Sequence, residues 1–377
     1  MKIAELKKSV KPLDPTNERI LHLEKKLQLS CDDNSSLRSK LAAVQRDNGL
    51  FEAMAEEVQK HVKQIPSFPK EKAKPTADTD IVEDLCLHLS DEHADQIVLP
   101  HRVNGLENYN FKVVMARAER LVQVLLDYSQ KTLVNYTFEN LYIFANGDHV
   151  NGEIHDSTNQ SEYRNAFRNT LAVGQLHALM IRDLAPHFKK VFVIYTAGNH
   201  GRRSRKKDYT GAWDNWDYLV GEYAKQCTTA ENVEFIIPDS WSVNVDIRGW
   251  VFNIQHGDDV KSWNSIPFYG LERQSRRLMA LEAAQNRQVH YFVRGHFHQL
   301  GSISHPGGEM LLNGAWKATD EWALGALGAY GKPTQLMHGV HEKYGVTWRL
   351  PIDLKFNGDH KGPKRYSVKL ADPDESC

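Results

Sequence analysis

The sequence contains few cysteines, no long apolar run and almost no net charge. Its four cysteines, Cys31, Cys86, Cys227 and Cys377, form no C-x-x-C pair, which excludes a dense disulfide framework and favours a reducing compartment. No apolar stretch approaches the ~20 residues of a membrane-spanning helix, and the first residues lack the apolar core of a signal peptide. The formal net charge is -1, so a polyanion would need a local basic patch. We therefore expect a cytoplasmic protein without membrane contact.

The size and composition are those of a globular protein. With 377 residues, of which 41% are apolar and 25% charged, the chain can bury one large core. Changes of pattern predict four parts: a helical, coiled-coil-like arm over residues 1–65, a linker over 66–80, a main domain over 81–355 and a charged C-terminal tail over 356–377. Prolines in the linker stop helix propagation. We expect the tail to be loosely ordered.

The arm carries one narrow apolar stripe. Its apolar residues recur in steps of three and four, as in a coiled-coil seam or a helical hairpin; they are Ile20, Leu23, Leu27, Leu37, Leu41, Val44, Phe51, Met54, Val58, Val62 and Ile65. The polar run 32–36 interrupts the stripe, and we predict a turn or a stutter there, with Ser35 or Ser36 as an N-cap. We interpret the stripe as a self-association surface and expect a homo-oligomer. A helix folded back on its own domain would show the same periodicity.

From Ile81 onward, strand-like runs alternate with helix-like runs. Amphipathic helices are predicted over 111–128, 163–184 and 213–225, and the first two precede apolar strands. Further strands are predicted at 302–304, 310–312, 334–340 and 345–350, with a flexible glycine-rich loop over 325–331. This alternation predicts a layered α/β fold.

Five short polar stretches each follow an apolar run. In chain order they are Asp91-Glu92-His93, Gly147-Asp148-His149-Val150-Asn151, Gly198-Asn199-His200, His256-Gly257-Asp258 and Gly295-His296-Phe297-His298. An α/β sheet presents ligands at the carboxyl ends of its strands. Carboxylate, amide and imidazole donors without a thiolate suit two divalent ions such as Mn, Fe, Zn or Mg. No single stretch is specific, so the prediction depends on the five occurring in order.

This ordered series resembles the motifs of the calcineurin-like metallophosphoesterase superfamily, D-x-H, GD-x-x-[DN], GNH, H and GH-x-H, over residues 81–354. Segments 89–93, 105–110, 198–202 and 214–217 are similar to a phage- or prophage-type branch, for which the cytoplasm would be that of the host. The Gly-His-Phe-His end resembles double-strand-break-repair nucleases.

The resemblance implies an α-β-β-α sandwich with two divalent metal ions, Mn foremost and Fe, Zn or Mg as alternatives. One ion would be held by Asp91, His93, Asp148 and His298, and the other by Asp148, Asn199, His256 and His296. Two ions ~3.5–4 Å apart need a shared anionic ligand, which Asp148 would supply.

His200 is the candidate general acid, because it follows the expected ligand Asn199 and an imidazole titrates near neutral pH. The alternative is a group that only orients a ligand. Asn151 stands where many members of the superfamily have an Asp that bonds the catalytic histidine, and Gly201 replaces an acidic residue that often follows. Both departures weaken the assignment of His200 and leave the metal set untouched.

A basic run follows His200. Arg202 and Arg203 are candidate substrate contacts because they lie next to the expected site, although charge runs are usually solvated loops. Trp213 and Trp216 would stack a base or, as is more usual, anchor a helix to the core. The histidines at 149, 155 and 177 are interpreted as loop or helix residues.

The leading hypothesis is a phosphodiesterase acting on a nucleic acid or nucleotide, with DNA among the candidates. The protein lacks the Asp-Arg-Gly of Ser/Thr phosphatases, having Gly152-Glu153 instead, and has Ala197 where those enzymes place an Arg. The alternatives are a phosphomonoesterase and a non-catalytic interaction or assembly protein.

Overall fold

A computed structural model describes residues 15–61, 81–154, 165–204, 211–261 and 267–368, with the side chains of the first helix described over 19–42. The chain divides into two compact units, Met1–Ala77 and Asp78–Cys377. The predicted linker over 66–80 lies outside the described residues, as does His155. Among the helices in the described ranges, none combines the length and the apolar content of a membrane span.

The first unit contains one long helix. Helix α1 spans Pro15–His61 and continues through residues 32–36, so the predicted turn there is wrong. Asp, Asn and Ser are weaker helix formers than Ala by well under ~1 kcal/mol each, and the run contains no Gly or Pro that would break the helix. Whether the helix pairs with another copy stays a prediction at this point.

The second unit is mixed α/β, as the alternation of strands and helices predicted, and it has two sheets, as the family resemblance implied. Its strands are β1 (Ile81–Leu89), β2 (Tyr136–Asn146), β3 (Lys190–Thr196), β4 (Val233–Ile236), β5 (Ser242–Ile247), β6 (Trp250–Gln255), β7 (Tyr291–Arg294), β8 (Gly301–His305), β9 (Gly308–Leu312), β10 (Thr334–His341) and β11 (Gly345–Asp353). Its helices are α2 (Phe111–Asp127), α3 (Ala166–Leu184), α4 (Trp216–Cys227), α5 (Phe268–Ala283) and α6 (Glu321–Leu327).

The two sheets have different strand directions. The six-stranded sheet has the order β11-β10-β1-β2-β3-β4, in which β1 to β4 are parallel and β10 and β11 are antiparallel additions. The five-stranded sheet has the order β5-β6-β7-β9-β8, with a parallel centre formed by β6, β7 and β9. Because neighbouring parallel strands end at the same edge, β1, β2 and β3 finish side by side, and so do β6 and β7.

Alternation along the strands divides the core into layers. In β1, Leu85, Leu87 and Leu89 pack with α2, α3 and α4, whereas Cys86 faces the gap between the sheets. That gap is filled by apolar residues of both sheets, among them Phe144 and Phe252. Leu271 of α5 packs on the outer face of the five-stranded sheet. The layers therefore run helices, sheet, sheet, helix, since each sheet buries both of its faces.

Side-chain caps set several helix boundaries. Asn110 accepts from Val113 N and Asn165 from Arg168 N, so α2 and α3 begin after these residues. Asn215 accepts from Asp217 N, and α4 therefore begins at Trp216 and not at Trp213. Trp216 packs against the core, as predicted, but Trp213 is 61% exposed.

Some elements differ from the sequence prediction. Strands β4 and β5 and helix α5 were not predicted. The prediction of a loop over 325–331 is wrong for residues 325–327, which are helical. They form the last residues of α6, a helix whose N-terminus is capped by Asp320. The tail is also better ordered than predicted up to residue 368, because Asp359 and Tyr366 are buried; residues 369–377 lie outside the described part.

Asp359 belongs to a buried ion cluster. The Arg117 guanidinium contacts Glu107 Oε1 at 3.1 Å and Asp359 Oδ2 at 2.8 Å. The Arg117 side chain is fully buried and that of Glu107 nearly so. The cluster ties α2 to the loop before it and to the C-terminal segment.

We predict that Arg117→Met lowers the free energy of unfolding by about 3–5 kcal/mol, because it removes the buried guanidinium that pairs with both Glu107 and Asp359. Urea denaturation followed by circular dichroism measures this. Arg276→Met is the matched control, since that side chain is 71% exposed in an i,i+4 pair with Glu272 and should change stability little. Equal losses in the two variants would contradict the prediction.

Candidate metal centre

The five polar stretches lie at the carboxyl ends of five strands. Residues 91–93 follow β1, 147–151 follow β2 and 198–200 follow β3, and these strands are neighbours in the six-stranded sheet. Residues 256–258 and 295–298 follow the neighbours β6 and β7 of the other sheet. Packing of the sheets face to face brings both sets of strand ends together.

The Asp148 carboxylate lies where the two sets meet. Its Oδ2 atom is 3.0 Å from His256 Nε2. Asp148, His256 and His296 offer ligand atoms that all lie within 4.8 Å of one another, and so do His93, Asp148 and His200. One carboxylate is thus shared between residues of both sheets.

A second group of the predicted ligands lies beside the first. Asp91, His93 and His298 offer ligand atoms within 4.8 Å of one another. His298 Nε2 is 3.4 Å from Asp91 Oδ1 and 3.2 Å from His93 Nε2. The six His and Asp residues among the seven predicted ligands therefore converge into two adjoining groups linked through His93 and Asp148.

Several buried polar atoms here have no hydrogen-bond partner among the described residues. Asn199 Oδ1 is one, and it is the oxygen expected to bind a metal. His256 Nε2 is another: although it is close to the Asp148 carboxylate, its geometry is not that of a hydrogen bond. A buried polar atom without a partner costs about 1–3 kcal/mol. The donors are oxygen and imidazole nitrogen only, so the arrangement fits divalent metal ions.

Backbone strain is concentrated at the same residues. Five of the eight non-glycine residues with positive φ in the described chain are predicted ligands: Asp91 (56°), His93 (43°), Asp148 (54°), His296 (67°) and His298 (54°). A left-handed conformation costs a non-glycine residue of order 1–3 kcal/mol, and such residues cluster at functional sites. The strained residues are thus members of the two adjoining ligand groups.

The glycines of the motifs make room for the carboxylates. A Cβ atom on Gly198 would lie 2.2 Å from Asp148 Oδ1, and one on Gly295 would lie 2.6 Å from Asp91 Oδ2. The first residue of Gly-Asn-His and of Gly-His-x-His is therefore a glycine because a carboxylate from a neighbouring strand end comes too close for a side chain.

Electrostatics keep the ligands in different protonation states. Burial would lower the pKa of His256, but the Asp148 carboxylate outweighs it and raises the pKa to about 10. Burial lowers the pKa of His296 to about 4, with His256 adding to the effect, and burial also lowers the pKa of His93. His93 and His296 are therefore neutral at pH 7, as metal ligands must be.

His256 is held by its other ring nitrogen. Nδ1 donates to the Asn146 carbonyl oxygen at 2.8 Å, which directs Nε2 toward Asp148. Metal-bound histidines are typically fixed in this way.

His200 lies at the edge of the centre. Its backbone N–H donates to Asp148 Oδ1 at 2.8 Å, and its ring centroid is 4.5 Å from that of His93. Its Nδ1 atom donates to the backbone oxygen of Asn151 at 3.0 Å. The main chain of Asn151 thus orients the ring, where the sequence led us to expect the amide side chain.

The two arginines point in different directions. Arg202 is half-buried and its Nε donates to the Asn199 carbonyl at 3.0 Å, so it lies against the candidate centre. Arg203 is paired with Asp214 at 2.7 Å and its side chain is 63% exposed. Residues 205–207, the rest of the basic run, lie outside the described residues.

Sequence reasoning missed a buried network behind the ligands. Glu92 Oε2 accepts from His149 Nδ1 at 2.7 Å and from His177 Nε2 at 2.8 Å, and His177 Nδ1 accepts from the Tyr195 hydroxyl at 2.8 Å. Burial would raise the pKa of Glu92, but His177 and His149 lower it to about 2, so the carboxylate is ionised. His149 lies in the loop after β2 and His177 in α3, as interpreted from the sequence, but the sequence did not indicate that both contact Glu92. In the sequence, the only indication of this network was the position of Glu92 between the expected ligands Asp91 and His93.

Asp217 is a second residue whose role was missed. Its fully buried carboxylate accepts from the backbone N–H groups of Asp148 at 2.9 Å, His149 at 3.0 Å and Gly198 at 2.9 Å. Asp217 lies in the first turn of α4, and its hydrogen bonds hold the loop after β2 next to the loop after β3. Asp214–Asp217 was noticed in the sequence only as part of a resemblance.

Comparison with known proteins gives weak likenesses. No model of a known family matches the chain, and no curated protein matches it. Among solved structures, a hypothetical protein from Pyrococcus horikoshii is 12% identical over 73% of this chain and 89% of its own, with a TM-score of 0.36. An archaeal phosphodiesterase is 12% identical over 71% and 99%, with a TM-score of 0.33. Vacuolar protein sorting 29 from Cryptosporidium parvum is 14% identical over 72% and 98%, with a TM-score of 0.30. Function must therefore be argued from this chain's own residues.

We predict that Gly198→Ala weakens Mn²⁺ binding by 10–100-fold, the range seen when groups that orient ligands are disturbed. The added methyl group would displace the Asp148 carboxylate. Isothermal titration of the metal-free protein with Mn²⁺ measures the effect. Gly325→Ala is the matched control, because a Cβ atom there meets nothing within 4 Å; the same loss in the control would contradict the prediction.

Proposed function

We propose that the protein is a binuclear-metal-dependent phosphoesterase of the calcineurin-like metallophosphoesterase superfamily, most specifically a phosphodiesterase or nuclease. The proposal rests on one observation above all: ligand groups from both sheets converge on the Asp148 carboxylate. Asp91, His93, Asp148 and His298 would hold one ion, and Asp148, Asn199, His256 and His296 the other. Mn is the first metal to test, followed by Fe, Zn and Mg.

When bound, a metal pair of this kind supplies a hydroxide near neutral pH and neutralises charge on the phosphoryl oxygens. The chain's own residues do the rest. Asp217 and Glu92 keep the ligand turns in place before substrate arrives, so little reorganisation is needed during the reaction. The unpartnered Oδ1 of Asn199 supports its role as an oxygen ligand.

We assign the general acid role to His200. Nδ1 donates to the Asn151 carbonyl and the ring lies against that of His93, so the imidazole is held at the candidate centre, and from there it would give a proton to the leaving oxygen. A carbonyl dipole stabilises the imidazolium less than a carboxylate would. Such an acid suits a diester with a moderately good leaving group.

The distribution of positive charge also favours a diester over a monoester. A phosphomonoester dianion needs more cationic contacts than a diester monoanion. Among the described residues Arg203 is paired with Asp214, and the buried ammonium of Lys317 is paired with Asp320 at 2.7 Å. Arg202 is the arginine best placed to meet a substrate phosphate, and we keep Arg203 as a contact for a more distant phosphate of a nucleic acid.

The alternatives are a phosphomonoesterase and a non-catalytic assembly protein. The second is disfavoured by the five strained ligand residues, which lie in three turns, since a scaffold gains nothing from left-handed backbone at residues that group their side chains like metal ligands. Comparing the hydrolysis of a monoester with that of a diester tests whether the protein is a phosphomonoesterase.

We predict that the Mn²⁺-loaded protein hydrolyses bis-p-nitrophenyl phosphate and that Asp148→Ala reduces the rate to background, because the shared ligand is lost. Release of p-nitrophenolate measures both. Asp127→Ala, which removes a surface carboxylate paired with Lys131, is the control and should retain full activity. Equal absence of hydrolysis in all three proteins would favour the assembly role, and faster hydrolysis of p-nitrophenyl phosphate would favour the monoesterase.

We predict that His200→Gln lowers kcat by about 10²–10⁴-fold for a dinucleotide, whose leaving alkoxide needs a proton, and far less for a p-nitrophenyl diester. Asn151→Ala should have a small effect on both, because its backbone carbonyl remains. Steady-state kinetics with the two substrates make the comparison. An equal loss on both substrates in His200→Gln would assign the residue to metal positioning instead.

A further inference from the structure

The unbroken course of α1 changes the interpretation of its apolar stripe. Counted through the helix in alternating steps of three and four from Ile20, the seam positions do not shift at the polar run 32–36. They are Ile20, Leu23, Leu27, Ser30, Asn34, Leu37 and Leu41. The same spacing continues in the sequence with Val44, Asn48, Phe51, Ala55 and Val58. One heptad register therefore covers the whole helix, with polar residues inside the seam.

The apolar residues of this seam are exposed. Their exposed fractions are 49% for Ile20, 56% for Leu23, 67% for Leu27, 62% for Leu37 and 57% for Leu41. The helix has 47 residues, which corresponds to a length of about 70 Å. A helix with one narrow apolar stripe gains most of its stability from a packing partner.

We propose that α1 pairs with α1 of a second copy of this chain as a parallel, in-register, two-stranded coiled coil. In the heptad notation, Ile20, Leu27, Asn34 and Leu41 take position a, and Leu23, Ser30 and Leu37 take position d. An Asn at an a position is satisfied by the same Asn of an identical, aligned helix, and this pairing fixes register and favours two strands. Asn34 provides that layer, and Asn48 repeats it two heptads later.

Charges beside the seam favour the same orientation. In a parallel pair, each g residue faces the e residue of the following heptad on the partner helix. Arg19 at g would face Glu24 at e of the second copy, and Asp33 at g would face Arg38 at e. Both pairs have opposite charges. Asp47 and Glu52 carry like charges at the corresponding later positions, so the first half of the helix sets the orientation.

The occupant is a second copy because the seam complements itself. Its polar layers match only when identical helices align, and the flanking charges of its first half match in that alignment. This inference defines the number, direction and register of the helices, which self-association alone leaves open. It does not depend on the proposed phosphoesterase activity, and its tests use no substrate.

The first test is the mass of the full-length protein by sedimentation equilibrium. We expect twice the 43.1 kDa of one chain and at least a 100-fold weaker dimer in Leu27→Asp, which puts charge into the seam. Leu29→Asp is the matched control: Leu29 is 65% exposed, like Leu27, but lies at a c position. A monomeric parent protein, or equal weakening in both variants, would overturn the proposal.

The second test concerns the polar layer. Asn34→Leu should shift the protein toward trimers or larger species, because the group that restricts the seam to two strands is removed. Ser36→Leu, outside the seam at a c position, should stay dimeric. An Asn34→Leu protein that remains a dimer would contradict the role given to Asn34.

The third test concerns direction. In a Cys31→Ser background, Ser30→Cys should give a disulfide-linked dimer on mild oxidation, because equivalent d positions face each other in a parallel pair. Ser36→Cys in the same background, and the background alone, should give no such product. A dimer that forms no Ser30→Cys crosslink would rule out the parallel, in-register arrangement.

Discussion

The candidate centre depends on one shared carboxylate, that of Asp148. It is the only predicted ligand that the metal assignment uses twice, and it joins residues of both sheets: His256 at 3.0 Å comes from the five-stranded sheet, and the backbone N–H of His200 at 2.8 Å comes from the six-stranded one. The position of this carboxylate is set by glycines that leave it space and by Asp217, which binds the backbone N–H of Asp148 itself. The packing of one sheet on the other is thus a condition for the chemistry of the site.

Strain at the ligand turns requires compensation within the fold. Five left-handed ligands at 1–3 kcal/mol each would remove much of the stability of an ordinary domain. Buried acids that are not themselves ligands supply the compensation, because a carboxylate that accepts several N–H groups forms strong charge-assisted hydrogen bonds. Glu92 lies between two strained ligands and binds two buried histidines, and Asp217 binds three backbone amides. These networks hold the ligand atoms close together in the metal-free protein.

Local features of the fold were predictable, and long-range ones were not. Strands such as β3 are short apolar runs bounded by polar turns, and the motif at each end marks where the strand stops, so both were found. Helix α5 was missed because it buries few residues, Gly270, Leu271 and Ser275, which leaves a weak apolar period. The partners of Glu92 are 57 and 85 residues away, and pairing over such distances leaves no local pattern. The arm shows the opposite error: five polar residues looked like a break, although a helix tolerates them without Gly or Pro.

The charge balance of the centre explains how the metal-free fold tolerates it. Asp91 and Asp148 are both buried, and two carboxylates close together repel each other unless a cation lies between them. In the metal-free protein each carboxylate has a histidine beside it: His298 lies 3.4 Å from Asp91, and His256 lies 3.0 Å from Asp148, which raises the pKa of His256 to about 10. A metal ligand must be a neutral imidazole, so an ion that binds Nε2 of His256 has to displace its proton. His256 thus offsets part of the negative charge of Asp148 in a metal-free fold whose two sheets are held together by the apolar residues between them, and a bound metal ion would take over that charge balance.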